Sequence, residues 1–375
     1  MHKDFFKNYI YPIATISGSI IGVGFLSLPY IASKVGIWLM LIYFVILTIV
    51  VISIHVILGK IALKTPDYKR WPGFVGYYFG GWAKRAILIP EILGSFGVLL
   101  AYLIVGSNFL NAIFSPIIGG SLLVYVFIYF FVLSFSIYMG VKAISKFELW
   151  SIILLLVSLV LIFIKGFPQI DFRGIFSLGE NIHFSNLFLP YGAILFSLWG
   201  TALIPEVEEM IISKKQHLRK IIIIATLIPA AIYILFTFLV LGITKFPTES
   251  ALVGVRNVLG NGITSIIIFI GVITTFTAFI AQGLFLKKMF TYDLGIKEKF
   301  SWMLVCFTPL ALYLIGFTSF IHIVSFIGGV LLSVDGILIL LMYGKIGGKK
   351  IVIYPLMAVF VLGIIYSLAT SFNLL

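Results

Sequence analysis

The sequence predicts an all-α membrane protein with about eleven transmembrane helices in a single domain, residues 1–375. Three observations predict it. First, 61% of the residues are hydrophobic, 10% are charged and the mean hydropathy is +1.19. Soluble domains carry roughly 25% charged residues, and disordered chains combine low hydrophobicity with high charge. Second, the apolar residues come in runs long enough to cross a bilayer, which takes about 20 residues. None of these runs alternates with period two, so a β-barrel is disfavoured. Third, the basic residues fall in the short loops between runs and favour every second loop.

The eleven runs are roughly 9–33, 36–59, 86–113, 119–140, 147–165, 186–210, 220–243, 262–286, 301–318, 320–343 and 351–371. The first is too long for a signal-peptide core and holds Pro12 and three central glycines, so it reads as span one. The amphipathic stretch Thr248–Leu259 reads as a short helix over the outer face. With the N-terminus inside, the inner segments hold 21 Lys and Arg and the outer ones hold 5, which accounts for all 26. That bias predicts a multi-pass plasma-membrane protein, N-terminus cytoplasmic and C-terminus extracytoplasmic. It also explains the net charge of +13 without nucleic acid as a partner; the bilayer is the expected surroundings. The single cysteine, Cys306, lies in an apolar run and reads as a small buried hydrophobe.

Several functions are disfavoured. No run holds the Arg series of a voltage sensor or a lysine for a Schiff base. The five histidines are scattered, without metal-ligand spacing, and His55 and His322 read as lying near opposite membrane faces. No P-loop, zinc motif or Ser-His-Asp pattern is present, so an enzyme is not expected and neither is a cofactor. A channel would call for a carbonyl filter or charged rings.

Two runs are interrupted. Span one contains Ser17-Gly18-Ser19-Ile20-Ile21-Gly22-Val23-Gly24, followed by Pro29. Gly22 and Gly24 weaken a helix, and Pro29 removes a backbone donor. A helix broken here exposes N–H groups that lipid cannot satisfy and that suit an anion such as a carboxylate. The same small residues would also serve close helix packing. Span six repeats the pattern, with Phe196, Ser197, Trp199, Gly200 and then Pro205. Spans one and six are five spans apart and run in opposite directions. Interrupted helices at matching positions of two inverted halves point to a secondary transporter.

The segment Ile21-Gly22-Val23-Gly24 with Pro29 and Gly36 resembles the opening helix of the amino acid–polyamine–organocation transporter superfamily. Leu195, Phe196, Gly200, Ile204, Pro205, Glu208 and Met210 resemble the sixth helix of its amino acid/auxin permease family. Trp199 departs from that pattern, where relatives often carry a smaller or acidic residue. The resemblance implies a five-plus-five inverted repeat, residues 1–165 and 186–343, with discontinuous helices one and six and an extra C-terminal helix at 351–371. It implies an amino acid bound between spans one, three, six and eight and carried inward by alternating access, coupled to a proton or a sodium ion.

On that implication Ile21, Gly22, Val23 and Gly24 take the carboxylate. Carbonyls near Ser17, Gly18, Ser19, Phe196, Ser197 and Trp199 take the ammonium group, with Gly200 opening the second break. Phe196 and Trp199 wall the side chain or gate it. Thr274, Thr275 and Thr277 on span eight would hold a sodium ion, the one inorganic ligand expected, or bond back to their own helix. Glu91 and Asp335 are intramembrane carboxyls and candidates for carrying a proton. Glu208 and Glu209 lie beside Lys214 and Lys215 and read as inner-gate ion pairs. The alternative function is a nutrient sensor, as in spore germinant receptors, which would bind an amino acid without net transport.

Overall fold

A computed structural model of the protein describes residues 6–67, 69–140, 144–176, 186–244, 247–251, 253, 255 and 261–371. These residues contain helices and loops and no strand. Span one is α1 (Tyr11–Ile20) and α2 (Leu28–Val35); the two halves meet at 48°. Span two is α3 (Ile37–Lys64). Two short helices follow, α4 (Trp71–Phe79) and α5 (Gly81–Ala86). Span three is α6 (Leu88–Ile118), span four α7 (Leu122–Met139) and span five α8 (Ile144–Gly166). After the short α9 (Phe172–Phe176), span six is α10 (Leu189–Leu198) and α11 (Ile204–Met210). Spans seven, eight and nine are α12 (Leu218–Ile243), α13 (Asn261–Lys288) and α14 (Glu298–Leu314). Span ten is α15 (Phe320–Phe326) and α16 (Leu332–Lys345), joined by a π-helical turn at Ile327–Leu331, and α17 (Lys350–Ser371) closes the chain.

Among the described residues, seven segments are long and apolar enough to cross a membrane alone, and the bent pair of span one makes an eighth. The other three runs are cut short. The apolar helix in span five is Ile153–Gln169, span six is divided by its break, and α14 has 17 residues.

Most buried apolar residues fall into two cores, bridged by spans three and eight. The larger joins the buried residues of spans one, two, six, seven and ten with some from spans three, five and eight and from α17. The other joins spans three, four, eight and nine. Helix α13 lies along α6 and α8, while α12 lies against α3 and both halves of span one. The broken halves of spans one and six touch each other. Cys306 is fully buried in the second core, as its apolar run suggests.

Two features depart from the sequence reading, and one expectation lies largely outside the described residues. The segment between spans two and three folds into α4 and α5, separated by Gly80 at φ 91°, a conformation that favours glycine. Trp82 and Tyr77 project from this pair, which carries Lys84 and Arg85, as an interfacial helix would. Thr248–Leu259 falls largely outside the described residues. Lys287, read as a loop charge, is buried. Its ammonium donates to Glu298 Oε1 at 2.8 Å, and that hydrogen bond and charge hold the exposed Glu298 carboxyl below its ordinary range.

Span ten meets span six backbone to backbone. A Cβ on Gly328 would strike the carbonyl of Gly192, and one on Gly192 would strike the carbonyl of Ser325. No rotamer relieves a clash with backbone. Gly328→Ala is therefore expected to cost about 1–3 kcal/mol, read as a lowered melting temperature of the purified protein. Gly262→Ala, whose new Cβ meets nothing within 4 Å, should leave the melting temperature unchanged.

Candidate functional site

The site begins where the helical ladder of span one stops. Ile21 N–H still reaches Ser17 O at 3.0 Å, and Gly22 N–H turns back to Ile20 O at 2.9 Å. The ladder resumes with Leu26 N–H on Val23 O at 3.0 Å. Between them the N–H groups of Val23, Gly24 and Phe25 take no partner in that ladder. They sit at the N-terminal end of a short 3₁₀ turn, Gly24–Ser27, that runs into α2. Open backbone donors at such an end attract a carboxylate.

Span six stops in the same manner. After Leu198 the chain becomes extended at Trp199, φ −73° and ψ 122°, and Gly200 turns it into the 3₁₀ turn Thr201–Leu203. Gly24 and Gly200 let the two breaks interlock. A Cβ on Gly24 would lie 2.7 Å from Phe196 Cδ1 and 2.8 Å from Ser197 Oγ. A Cβ on Gly200 would run into Ile20.

Two cavities adjoin the breaks. The larger, about 250 Å³, is bounded by Ser19, Gly22, Val23, Gly24, Phe196, Ser197 and Trp199 on the broken side. Its other walls are Tyr102, Ser95 and Gln282, the π turn of span ten through Ile327 and Leu331, and the carboxyls of Glu91 and Asp335. Glu91 and Asp335, from spans three and ten, are near enough to interact electrostatically. Gln282 Nε2 donates to Ser95 Oγ at 2.9 Å across this wall. The cavity is smaller than the usual drug-sized pocket, so it suits one small molecule. The smaller cavity, about 90 Å³, lies between span one and span eight, lined by Gly18, Ser19, Ile21, Gly22, Val23, Thr274 and Thr277 among others. Tyr102 borders both.

The structure therefore gathers most of the expected residues and turns three away. Ser17 Oγ donates to Ala225 O at 2.9 Å and faces α12. Thr275 is buried toward span four, with its hydroxyl 2.8 Å from Tyr129 Oη, because it lies on the opposite side of α13 from Thr274 and Thr277. Gly200 borders neither cavity; its N–H donates to His55 Nε2 at 3.1 Å. Thr274 and Thr277 hydroxyls both bond back to their own helix, at 3.0 Å on Gly271 O and 3.1 Å on Thr274 O. Their oxygens keep lone pairs for a cation.

His55, read as lying near a membrane face, is instead fully buried against the break of span six. Tyr102, Ser95 and Gln282 were missed, although each is a polar group inside an apolar run. The wall from span ten was missed too; its signal is the Gly328-Gly329 pair within the π turn. Glu208, which is buried, pairs with Lys215, and Glu206 pairs with Arg70 at 3.7 Å. Among the described residues no cluster of three His, Cys, Asp or Glu could hold a metal.

Two opposed broken helices that meet at a cavity inside a helical bundle define the inverted-repeat class of membrane transporter. Solved structures agree with that fold. Mhp1, a nucleobase-cation-symport-1 family transporter solved closed with bromovinylhydantoin bound, aligns with TM-score 0.65 and 13% identity, covering 96% of this chain and 90% of that one. MhsT in complex with L-phenylalanine gives 0.62 and 12%, covering 95% and 96%. The manganese transporter of Eremococcus coleocola gives 0.70 and 10%, covering 99% and 88%. No curated protein matches the chain in sequence. The family comparison is specific: residues 7–345 match the tryptophan/tyrosine permease family, and the chain belongs to it. It is a multi-pass membrane transporter, not an enzyme. The narrower resemblance to the amino acid/auxin permease family finds no support in these matches.

The two glycines of span one are not equivalent. A Cβ on Gly22 would lie 3.7 Å from Tyr102 Oη, an ordinary contact, whereas one on Gly24 displaces Phe196 and Ser197. Gly24→Ala is expected to destabilise the protein by about 1–3 kcal/mol and Gly22→Ala by clearly less, measured by chemical unfolding in detergent micelles.

Proposed function

We propose that this permease imports an aromatic amino acid, such as tryptophan or tyrosine, by alternating access driven by a proton gradient. One observation carries the reading: the open N–H groups of Val23 and Gly24, the aromatic residues Phe196 and Trp199, and the acids Glu91 and Asp335 line one cavity. The N–H groups complement the substrate carboxylate. The carbonyls at the end of α10, near Phe196 and Ser197, lack helical partners and complement the ammonium group. Phe196 and Trp199 offer ring edges and faces to an aromatic side chain. Membership of the tryptophan/tyrosine permease family and the phenylalanine bound to MhsT support an aromatic substrate.

Glu91, in the first turn of span three, and Asp335 line the same cavity. Two carboxyls in one low-dielectric cavity repel when both are ionised, so the pair can take up a proton and release it as the cavity opens. Substrate and proton then favour the same conformations, which is all that coupling needs. The 21-to-5 loop bias supports a cytoplasmic N-terminus in a plasma membrane, and the inward direction follows from the inward proton gradient that drives uptake. A second reading has its own observation. Thr274 and Thr277 with the backbone of Gly18 and Ile21 bound the smaller cavity, and an all-oxygen site suits a sodium ion.

Reconstitution in liposomes tests both. Labelled tryptophan or tyrosine should accumulate under an inward proton gradient, and a protonophore should release it. Asp335→Asn should abolish accumulation while leaving exchange of internal for external substrate in place. Uptake that follows sodium alone, and falls with Thr274→Val, would favour the smaller cavity as the coupling site. Saturable binding without uptake under either gradient would favour a sensor.

A further inference from the structure

The two breaks leave opposite backbone groups exposed, and each is met by a side chain from the other repeat. At the end of α1 the group is the Ile20 carbonyl, which accepts Gly22 N–H at 2.9 Å and keeps a second lone pair. Tyr233 of span seven donates its hydroxyl to Ile20 O at 2.8 Å. At the end of α10 the free group is an N–H. His55 of span two accepts it from Gly200 at Nε2, 3.1 Å. Spans two and seven occupy corresponding positions in the two halves, as spans one and six do. A first-repeat helix therefore braces the second-repeat break, and the reverse.

The histidine relay closes without a loose end. Gly200 N–H can only donate, so Nε2 accepts and the proton sits on Nδ1. Nδ1 lies 3.1 Å from Thr226 Oγ1, and that hydroxyl donates onward to Ile222 O at 2.9 Å. Thr226 thus selects the tautomer that Gly200 requires. His55 is fully buried, and its ring meets the Trp199 ring edge-on with centroids 6.1 Å apart. Phe360 closes the other side of Trp199 at 6.4 Å.

We propose that His55 is a positioning residue for transport: it fixes the break of span six, and through it the Trp199 wall of the larger cavity, without touching substrate. An apolar side chain at 55 would leave the Gly200 N–H buried and unpaired. Glutamine offers one acceptor and one donor and can stand in for both bonds. The inference rests on the transport reading only in its kinetic arm.

Hydrogen exchange across residues 197–204, in the intact protein in nanodiscs, tests the brace without any substrate. His55→Leu is expected to speed exchange at Gly200 by about fivefold or more, the change that one lost hydrogen bond produces. His55→Gln should restore near-wild-type exchange. Thr226→Val, which keeps the imidazole but frees its tautomer, should fall between them and serves if His55→Leu does not fold. In uptake, His55→Leu should raise KM for tryptophan at least fivefold with a smaller change in maximal rate, and His55→Gln should rescue it. Wild-type exchange at Gly200 in both His55→Leu and Thr226→Val would overturn the proposal. So would a glutamine variant that exchanges as fast as the leucine one. A wild-type protein that takes up no aromatic amino acid would count against the substrate reading alone, because the exchange experiment would still decide the brace.

Discussion

A backbone that stops being helical inside a membrane must find its hydrogen bonds within the protein. That constraint organises this molecule. Lipid offers no donor or acceptor, so an interrupted helix survives only inside a bundle or beside a cavity. Spans one and six lie in the first core, touch each other, and hold their breaks beside the larger cavity. Some freed groups are met by side chains, as Tyr233 meets Ile20 O and His55 meets Gly200 N–H. Others, at Val23 and Gly24, stand free of the ladder beside the cavity. The division separates structure from site: braced groups hold the breaks in position, and open groups are left for a ligand.

Small residues supply the geometry that this division needs. Gly24 and Gly200 let the breaks approach, and Gly192 with Gly328 let span ten pack backbone to backbone on span six. That close contact carries the π turn Ile327–Leu331, whose Ile327 and Leu331 wall the cavity. Span ten also carries Asp335 to the cavity opposite Glu91 of span three. A carboxyl pair and a set of open amides thus share one small volume, although they come from helices far apart in sequence.

Much of this was legible in the chain. The breaks were readable because glycine and proline weaken helices wherever they occur, and Gly22, Gly24, Pro29, Gly200 and Pro205 mark them directly. The carboxyls were readable because Glu91 and Asp335 stand out in apolar runs. The face of a helix was harder to read. Thr274, Thr275 and Thr277 look alike in sequence, yet the middle one turns to Tyr129 and the others to span one. Ser17 sits in the broken segment but faces α12. His55 carries no motif, and its partner, the Gly200 amide, is 145 residues away.

The sequence by itself determined the solvent and the architecture. Hydropathy, run length and loop charge depend on composition along one stretch of chain, and they define an all-helical membrane protein with two interrupted spans. Tertiary structure alone decided which polar groups meet. Helix rotation and the pairing of spans two with six and seven with one follow from packing among distant segments, and no local pattern encodes them. The site exists because those packings turn backbone groups, freed by local sequence, toward one shared cavity.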